Sequence, residues 1–203
     1  MKRIHIILGL LFLFMSCSSN KSWTNEEQKS YDEILSLYPD SLVTHFPSVS
    51  NPKFDIAFYS FAFHRGRCLS YIHLGIVFHQ QDDIILLEKQ IQIASKEIVS
   101  YQDSCLYIPY DYRTYQIEKE DSIRNIGLEY KLPIPNLYKW GYNFTPTFYD
   151  KAITYVLNAG KGCFLPDSCL SVNGVGLPKG WEHGYTKGVT MADNLVIYWL
   201  EVW

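Results

Sequence analysis

Several signatures are missing from this 203-residue sequence, and each absence closes off a class of function. There is no nucleophile-elbow serine, no HExxH and no recognisable pair of catalytic carboxylates, so the common hydrolase plans find no anchor. No CxxC or cysteine–histidine spacing points to zinc, and no cofactor is implied. Basic residues do not predominate: 18 Lys and Arg stand against 21 Asp and Glu, which argues against nucleic acid as a partner. No internal repeat is visible beyond Asp-Ser-Cys-Leu at 103–106 and 167–170. Long apolar runs are also scarce. The longest, Ile4 to Phe14, rises only about 16 Å as a helix, against a hydrocarbon core of roughly 30 Å.

That short run is informative by its flanks. Lys2 and Arg3 precede it, and Phe14-Met15-Ser16-Cys17 closes it. A positive start, an apolar stretch, a small residue and a cysteine are the layout of a secretory signal whose cleavage leaves Cys17 to take lipid, such as palmitate. The rival reading is an uncleaved anchor. The expected organisation is a signal peptide at 1–16, a lipidated tether at 17–23 and one domain at 24–203. Ser18 after the cysteine favours the outer membrane. The neutral-to-basic Ser18-Ser19-Asn20-Lys21-Ser22 favours its periplasm-facing leaflet over surface export. Processing leaves 187 residues, enough for one ordinary domain, and takes the charge from −3 to −5 because two bases and no acid depart.

Aromatic content is high at 16%, with sixteen Tyr. Such richness fits a tightly filled sheet core, and secondarily a glycan or protein surface. Cys68, Cys105, Cys163 and Cys169 follow Cys17. An oxidising compartment permits pairing, and the closest pair, Cys163 and Cys169, is the candidate disulfide, with four buried thiols as the alternative.

Along the chain, Thr24-Asn25-Glu26-Glu27 is a capping box opening a helix through Tyr31, Ile34, Leu35 and Tyr38, which Pro39 stops. Leu42 to Phe46 reads as extended. Phe54–His64 and Arg67–His79 read as a hairpin about Arg65-Gly66, placed centrally in a sheet because both faces carry apolar residues. Ile84, Leu87, Ile91, Ala94 and Ile98 form a helical stripe. Short strands are expected at Ile98–Tyr101 and Cys105–Ile108, a short helix at Glu118–Ile126 and extended chain at Leu132–Asn136, with much of the rest between Pro109 and Pro146 irregular. Ala152–Asn158 is a strand and Gly160-Lys161-Gly162 a turn. Asn173–Gly188 reads as a long structured loop. Val189–Met191 and Leu195–Trp203 form a closing hairpin over Asp193-Asn194. The fold class is therefore α+β: a single domain with a central, mainly antiparallel sheet and one or two helices on a face.

Three candidate sites emerge. His64, His73 and His79 share the first hairpin, but about 20 Å of strand separates His73 from His79, so no metal ion is expected there. In Leu177-Pro-Lys-Gly-Trp-Glu-His-Gly-Tyr185, Glu182 and His183 supply an acid and a base on a glycine-flexed loop. Adjacent residues of an extended segment point apart, so Glu182 should not orient His183. The competing readings of this segment are recognition through Trp181 and Tyr185, or simple packing of these rings on the sheet. The third pattern is Asp-Ser before an apolar residue at 40–42, 103–105, 121–123 and 167–169, a common turn or capping sequence.

The signal, the Tyr-rich body and Gly180-Trp-Glu-His-Gly-Tyr185 before a terminal aromatic strand resemble small Bacteroidetes-type lipoproteins. That group brings no active site to carry over. The resemblance implies O-glycosylation at Asp-Ser-apolar sequences, for which Ser41 and Ser122 are the best matches. The expected function is a lipid-anchored, non-catalytic envelope module binding a protein or glycan, as accessory subunit, inhibitor or immunity protein. The alternative is an envelope hydrolase using His183.

Overall fold

In the computed structural model of the chain, residues 23–63, 69–101 and 103–203 are described. The N-terminal address with Cys17, and His64, Cys68 and the turn between the first two strands, lie outside these residues.

Thr24 opens the first helix, α1 (Asn25–Leu35), with a complete capping box: its hydroxyl accepts from the Glu27 amide while the Glu27 carboxylate accepts from the Thr24 amide at 2.9 Å. A short helix α2 (Asp40–Val43) follows, then the hairpin strands β1 (Phe54–Ala62) and β2 (Ser70–Phe78) and the long helix α3 (Gln81–Ala94). Next come β3 (Glu97–Ser100), β4 (Leu106–Ile108), β5 (Tyr110–Asp111), β6 (Gln116–Ile117), α4 (Lys119–Arg124), β7 (Pro133–Pro135) and α5 (Pro146–Lys151). Three long strands complete the chain: β8 (Ile153–Lys161), β9 (Gly184–Ala192) and β10 (Leu195–Val202).

Six strands form one antiparallel sheet in the order β1-β2-β10-β9-β8-β3. The terminal hairpin forms over Asp193, whose φ of 52° lies in the left-handed region that short Asp and Asn turns tolerate. The chain folds as a single α+β domain, and both faces of the sheet are covered. On one face Tyr31 of α1, Leu42 of α2, and Ile84 and Ile91 of α3 pack on Ile72, Leu74, Val196, Tyr198 and Leu200. On the other, the segment from Tyr101 to Phe148 lays Tyr110, Tyr112, Leu137 and Trp140 over Ile197, Trp199 and Trp203. Burial on both sides is why β2 and β10 read as nearly continuous apolar runs rather than alternating ones. Gly188 is required by this packing. A Cβ there would collide with the Tyr155 carbonyl and the Trp199 indole.

Five sequence expectations need correction. Residues 42–46 are not extended; Leu42 and Val43 belong to α2, and Leu42 is buried under the sheet. The first hairpin is not central: β2 is interior, but β1 is an edge strand. Its second apolar face is covered by Tyr142 and Phe144, with the Phe58 and Tyr142 rings 4.0 Å apart. Gly160 and Lys161 continue β8 instead of turning, and β9 begins at Gly184, within the expected loop. The helix α5, capped by the Thr145 hydroxyl on the Phe148 amide, starts at Pro146, where the expected irregular stretch ends, and overturns no expectation. Finally, Cys163 and Cys169 form no disulfide. Both are free thiols, Cys163 exposed and Cys169 buried against the helical face of the sheet.

The Asp-Ser pattern is local in origin. Asp40 begins α2, Asp167 begins a single 3₁₀ turn, and Asp103 accepts the Ser100 amide at 2.9 Å.

Candidate functional site

The glycine–aromatic loop is part of the packing. Trp181 is buried, its ring 6.1 Å from that of Trp203, and its carbonyl accepts the Trp203 indole N–H at 2.9 Å. Lys161 Nζ sits 4.9 Å from the Trp181 ring on the outer side. Tyr185 is buried edge-on against Phe164 at 4.5 Å. Neither ring is offered to a partner.

Glu182 and His183 find different partners, although a bend and not an extended strand carries them. The Glu182 carboxylate turns back onto the Gly180 amide, with both oxygens at 3.0 Å. That hydrogen bond holds its pKa below the usual carboxylate value. His183 Nδ1 instead faces Ser171 Oγ at 3.4 Å. This is the one serine–histidine contact that could serve acyl-transfer chemistry, yet it is long for a hydroxyl hydrogen bond. Ser171 is itself buried, and the described hydrogen bonds of His183 include no carboxylate to orient its ring.

His64 lies outside the described residues, and the other two hairpin histidines have separate partners. His79 is exposed and lies 3.1 Å from Asp55, whereas His73 is buried. Among the described residues no group of three metal-binding side chains forms. His73 has a partner that the sequence reading missed. Its Nε2 lies 2.6 Å from Oε1 of Glu201, which also accepts the Tyr112 hydroxyl at 2.9 Å. The imidazole is stacked between Trp140, at 3.7 Å, and Tyr71, at 4.4 Å. All of these groups are buried, and Glu201 Oε2 has no hydrogen-bond partner. Desolvation pushes His73 well down and Glu201 well up, each toward its neutral form. One signal was available. Glu201 is a lone charge in an otherwise apolar terminal strand, and a buried charge demands a partner.

A second buried polar pair lies on the helical face. Lys187 Nζ donates to the Ser41 carbonyl at 2.6 Å, and the ring of His45 meets the Trp199 carbonyl at 3.1 Å through Nε2. Burial, reinforced by Lys187, takes His45 down to about 3. This cluster ties α2 to the centre of the sheet.

A cleft combining polar and apolar groups lies beside α4. It has a volume of about 440 Å³ and is bounded by Asp103, Cys105, Tyr107, Asp121, Asn125 and Tyr138, among others. Its polar floor is already organised. Asn125 grips Tyr107 by both backbone groups, accepting its N–H at 3.2 Å and donating to its carbonyl at 2.6 Å. Asn136 donates to Asp121 at 3.1 Å, and Arg124 lies 3.6 Å from the same carboxylate. At its rim apolar side chains are left in solvent: Ile126 is 74% exposed and Tyr138 more than half, while Ile123 and Tyr130, also exposed, do not line the cleft. Tyr138 is held rigid by stacking on Tyr149 at 4.0 Å. Asp103, Cys105 and Asp121 fall in the Asp-Ser pattern, which as a sequence indicates only turns or caps, and Ile126 and Tyr138 fall in no motif, because their exposure depends on how the chain around α4 packs.

The two glycosylation candidates differ. Ser41 is exposed on α2, whereas the Ser122 hydroxyl donates to the Glu118 carbonyl and lies where a Cβ on Gly176 would meet it. No protein-family model matches the chain, and no curated protein or solved structure matches it either.

Proposed function

We propose that this chain is a lipid-anchored envelope protein whose domain is a non-catalytic recognition module, with the cleft beside α4 as its contact surface for a protein partner. The observation that carries the reading is the cleft itself, where the exposed side chains of Ile126 and Tyr138 stand beside a pre-organised polar floor. Exposed apolar side chains beside organised polar groups are what transient protein interfaces present, and the isoleucine favours a protein over a glycan. Rigid aromatic anchors of this kind concentrate binding energy.

A photoreactive residue placed at Tyr130 in intact envelopes should capture a specific partner. Ile126→Asp and Tyr138→Ala should each weaken that capture about tenfold or more, at unchanged melting temperature. Equal capture by wild type and both variants would remove the α4 surface from consideration.

The anchor is tested separately. With Ser16-Cys17 as its basis, Cys17→Ala should shift the protein from membrane to soluble fractions or block processing. Wild-type fractionation and migration of the variant would end the lipoprotein reading. A hydrolytic reading through His183 is kept as the alternative because of the Ser171 contact.

A further inference from the structure

Strand β1 is an open edge of the sheet with little of the protection that edges usually carry. Natural edges are kept very short, or bear lysine or proline. The other edge, β3, has four residues. β1 has nine, with no lysine, arginine or proline among them, and its one charge, Asp55, is engaged by His79 at 3.1 Å. The phase of the ladder shows which backbone groups are left over. The Lys53 carbonyl accepts the His79 N–H at 3.1 Å, so the bonds to β2 alternate from that pair. A bulge between Ile56 and Phe58 inserts one residue, after which Phe58, Ser60 and Ala62 face β2. The N–H and C=O groups of Phe54, Ile56, Tyr59 and Phe61 therefore point away from the sheet. Among the described residues none of these groups has a hydrogen-bond partner. A cavity of about 340 Å³ opens beside them. Ile56, Tyr59 and Phe61 line it from β1, and Trp23, Glu27 and Ser30 from the α1 side. Tyr59 and Phe61 share a face, their rings 5.4 Å apart, and Phe61 is 41% exposed.

We propose that β1 takes up an extended segment of a partner protein as a seventh, antiparallel strand, whose apolar side chains seat in this cavity. The unmet backbone groups select the occupant. Donors and acceptors spaced along an edge are satisfied by an extended chain, a spacing that neither a glycan nor a helix face offers. Directly opposite residues of an antiparallel pair lie on the same face of the sheet. Residues set against Tyr59 and Phe61 thus bond to β1 and also send their side chains to the cavity. One set of alternate positions does both. Glu27 is the one charged residue among the described residues that line the cavity, so a basic residue in the segment is matched to it. A second copy of β1 has no base to offer. The chain's own Ser18-Ser19-Asn20-Lys21-Ser22 has no apolar side chain to seat. No residue of this cavity belongs to the cleft beside α4, so both surfaces can be occupied together.

The test uses the full chain in detergent and a fluorescent peptide that alternates valine with threonine between terminal lysines. Wild type should bind it saturably. N-methylating the valines, whose N–H groups face β1 when their side chains fill the cavity, should weaken binding about a hundredfold. N-methylating the threonines should leave it within about twofold. Phe61→Lys, and Ser30→Trp to fill the cavity, should each weaken binding about tenfold at unchanged melting temperature. Leu86→Asp, at an exposed apolar position of α3, should leave it as in wild type. Absence of saturable binding by wild type would overturn the proposal. So would equal effects of the two methylations, or a loss confined to the threonine series. A wild-type dimer that Phe61→Lys dissociates would also overturn it, by giving the edge to a second copy.

Discussion

Glu201→Ala should destabilise the fold by about 3–5 kcal/mol, because it leaves His73 and the Tyr112 hydroxyl without their shared acceptor in a dry interior. Glu201→Gln keeps the shape and should cost much less, but it should change the dependence of stability on pH. The signs follow from the two shifts. His73 is lowered from 6.5 and Glu201 raised from 4.5, so the folded pair holds one proton between them. The unfolded chain holds two protons on these groups below about pH 4.5, one between 4.5 and 6.5, and none above. Stability rises with pH wherever the unfolded state binds more protons. The pair therefore contributes most, and evenly, between pH 4.5 and 6.5, and its contribution is lost on either side. Above pH 6.5 the loss approaches about 1.4 kcal/mol per pH unit until Glu201 ionises in the folded state. The plateau holds wherever the proton sits, since only the count matters. In Glu201→Gln the alkaline loss from this pair should vanish, and the acid-side loss should begin near pH 6.5 instead of 4.5. Denaturant titrations of both proteins from pH 4 to 9 would show this. Parallel pH profiles would mean that the pair holds no extra proton.

What could be read from the sequence was what is decided by neighbours along it. Thr24 and Glu27 are three residues apart and cap α1 as their types require. Asp193-Asn194 joins two strands in direct continuation, and β9 and β10 pair as expected. The α4 helix likewise follows from a short local pattern. Errors arise where distant chain decides. β1 was placed centrally because both of its faces are apolar, but Tyr142 and Phe144 supply the second cover from far along the chain. Leu42 to Phe46 has strand-like residues, yet burying Leu42 and Phe46 under the sheet favours a helical turn. The same holds for the site residues. His73 and Glu201 are 128 positions apart, and only the register of β2 against β10 brings them together. Trp181 and Tyr185 stand out in the loop by residue type, with recognition and packing both open to them. Which way the rings face could not follow from their spacing, because β9 is buried on both sides.

Trp181→Ala should therefore act on stability, lowering the melting temperature by roughly 10 °C, in line with about 3–5 kcal/mol for deleting a buried indole. The cost has two parts: the cavity left beside Trp203, and the loss of the surface that Lys161 covers. The Trp203 indole N–H is spared, because its acceptor is the Trp181 backbone carbonyl, which the substitution keeps. Trp181→Phe should then recover most of the loss, since a ring still fills the space. His183→Ala should differ from both. It removes a half-buried ring whose only described hydrogen bond is the long contact to Ser171, so the melting temperature should move little. If His183 were a general base, its removal would lower turnover by 10²- to 10⁴-fold without affecting capture at the α4 cleft. Thermal melts, partner capture and an ester-hydrolysis assay on these three variants and on Ser171→Ala separate these cases. A Trp181→Ala protein that melts like wild type but loses its partner would make the loop a recognition element. Loss of hydrolysis confined to His183→Ala and Ser171→Ala, at unchanged stability, would make it an active site.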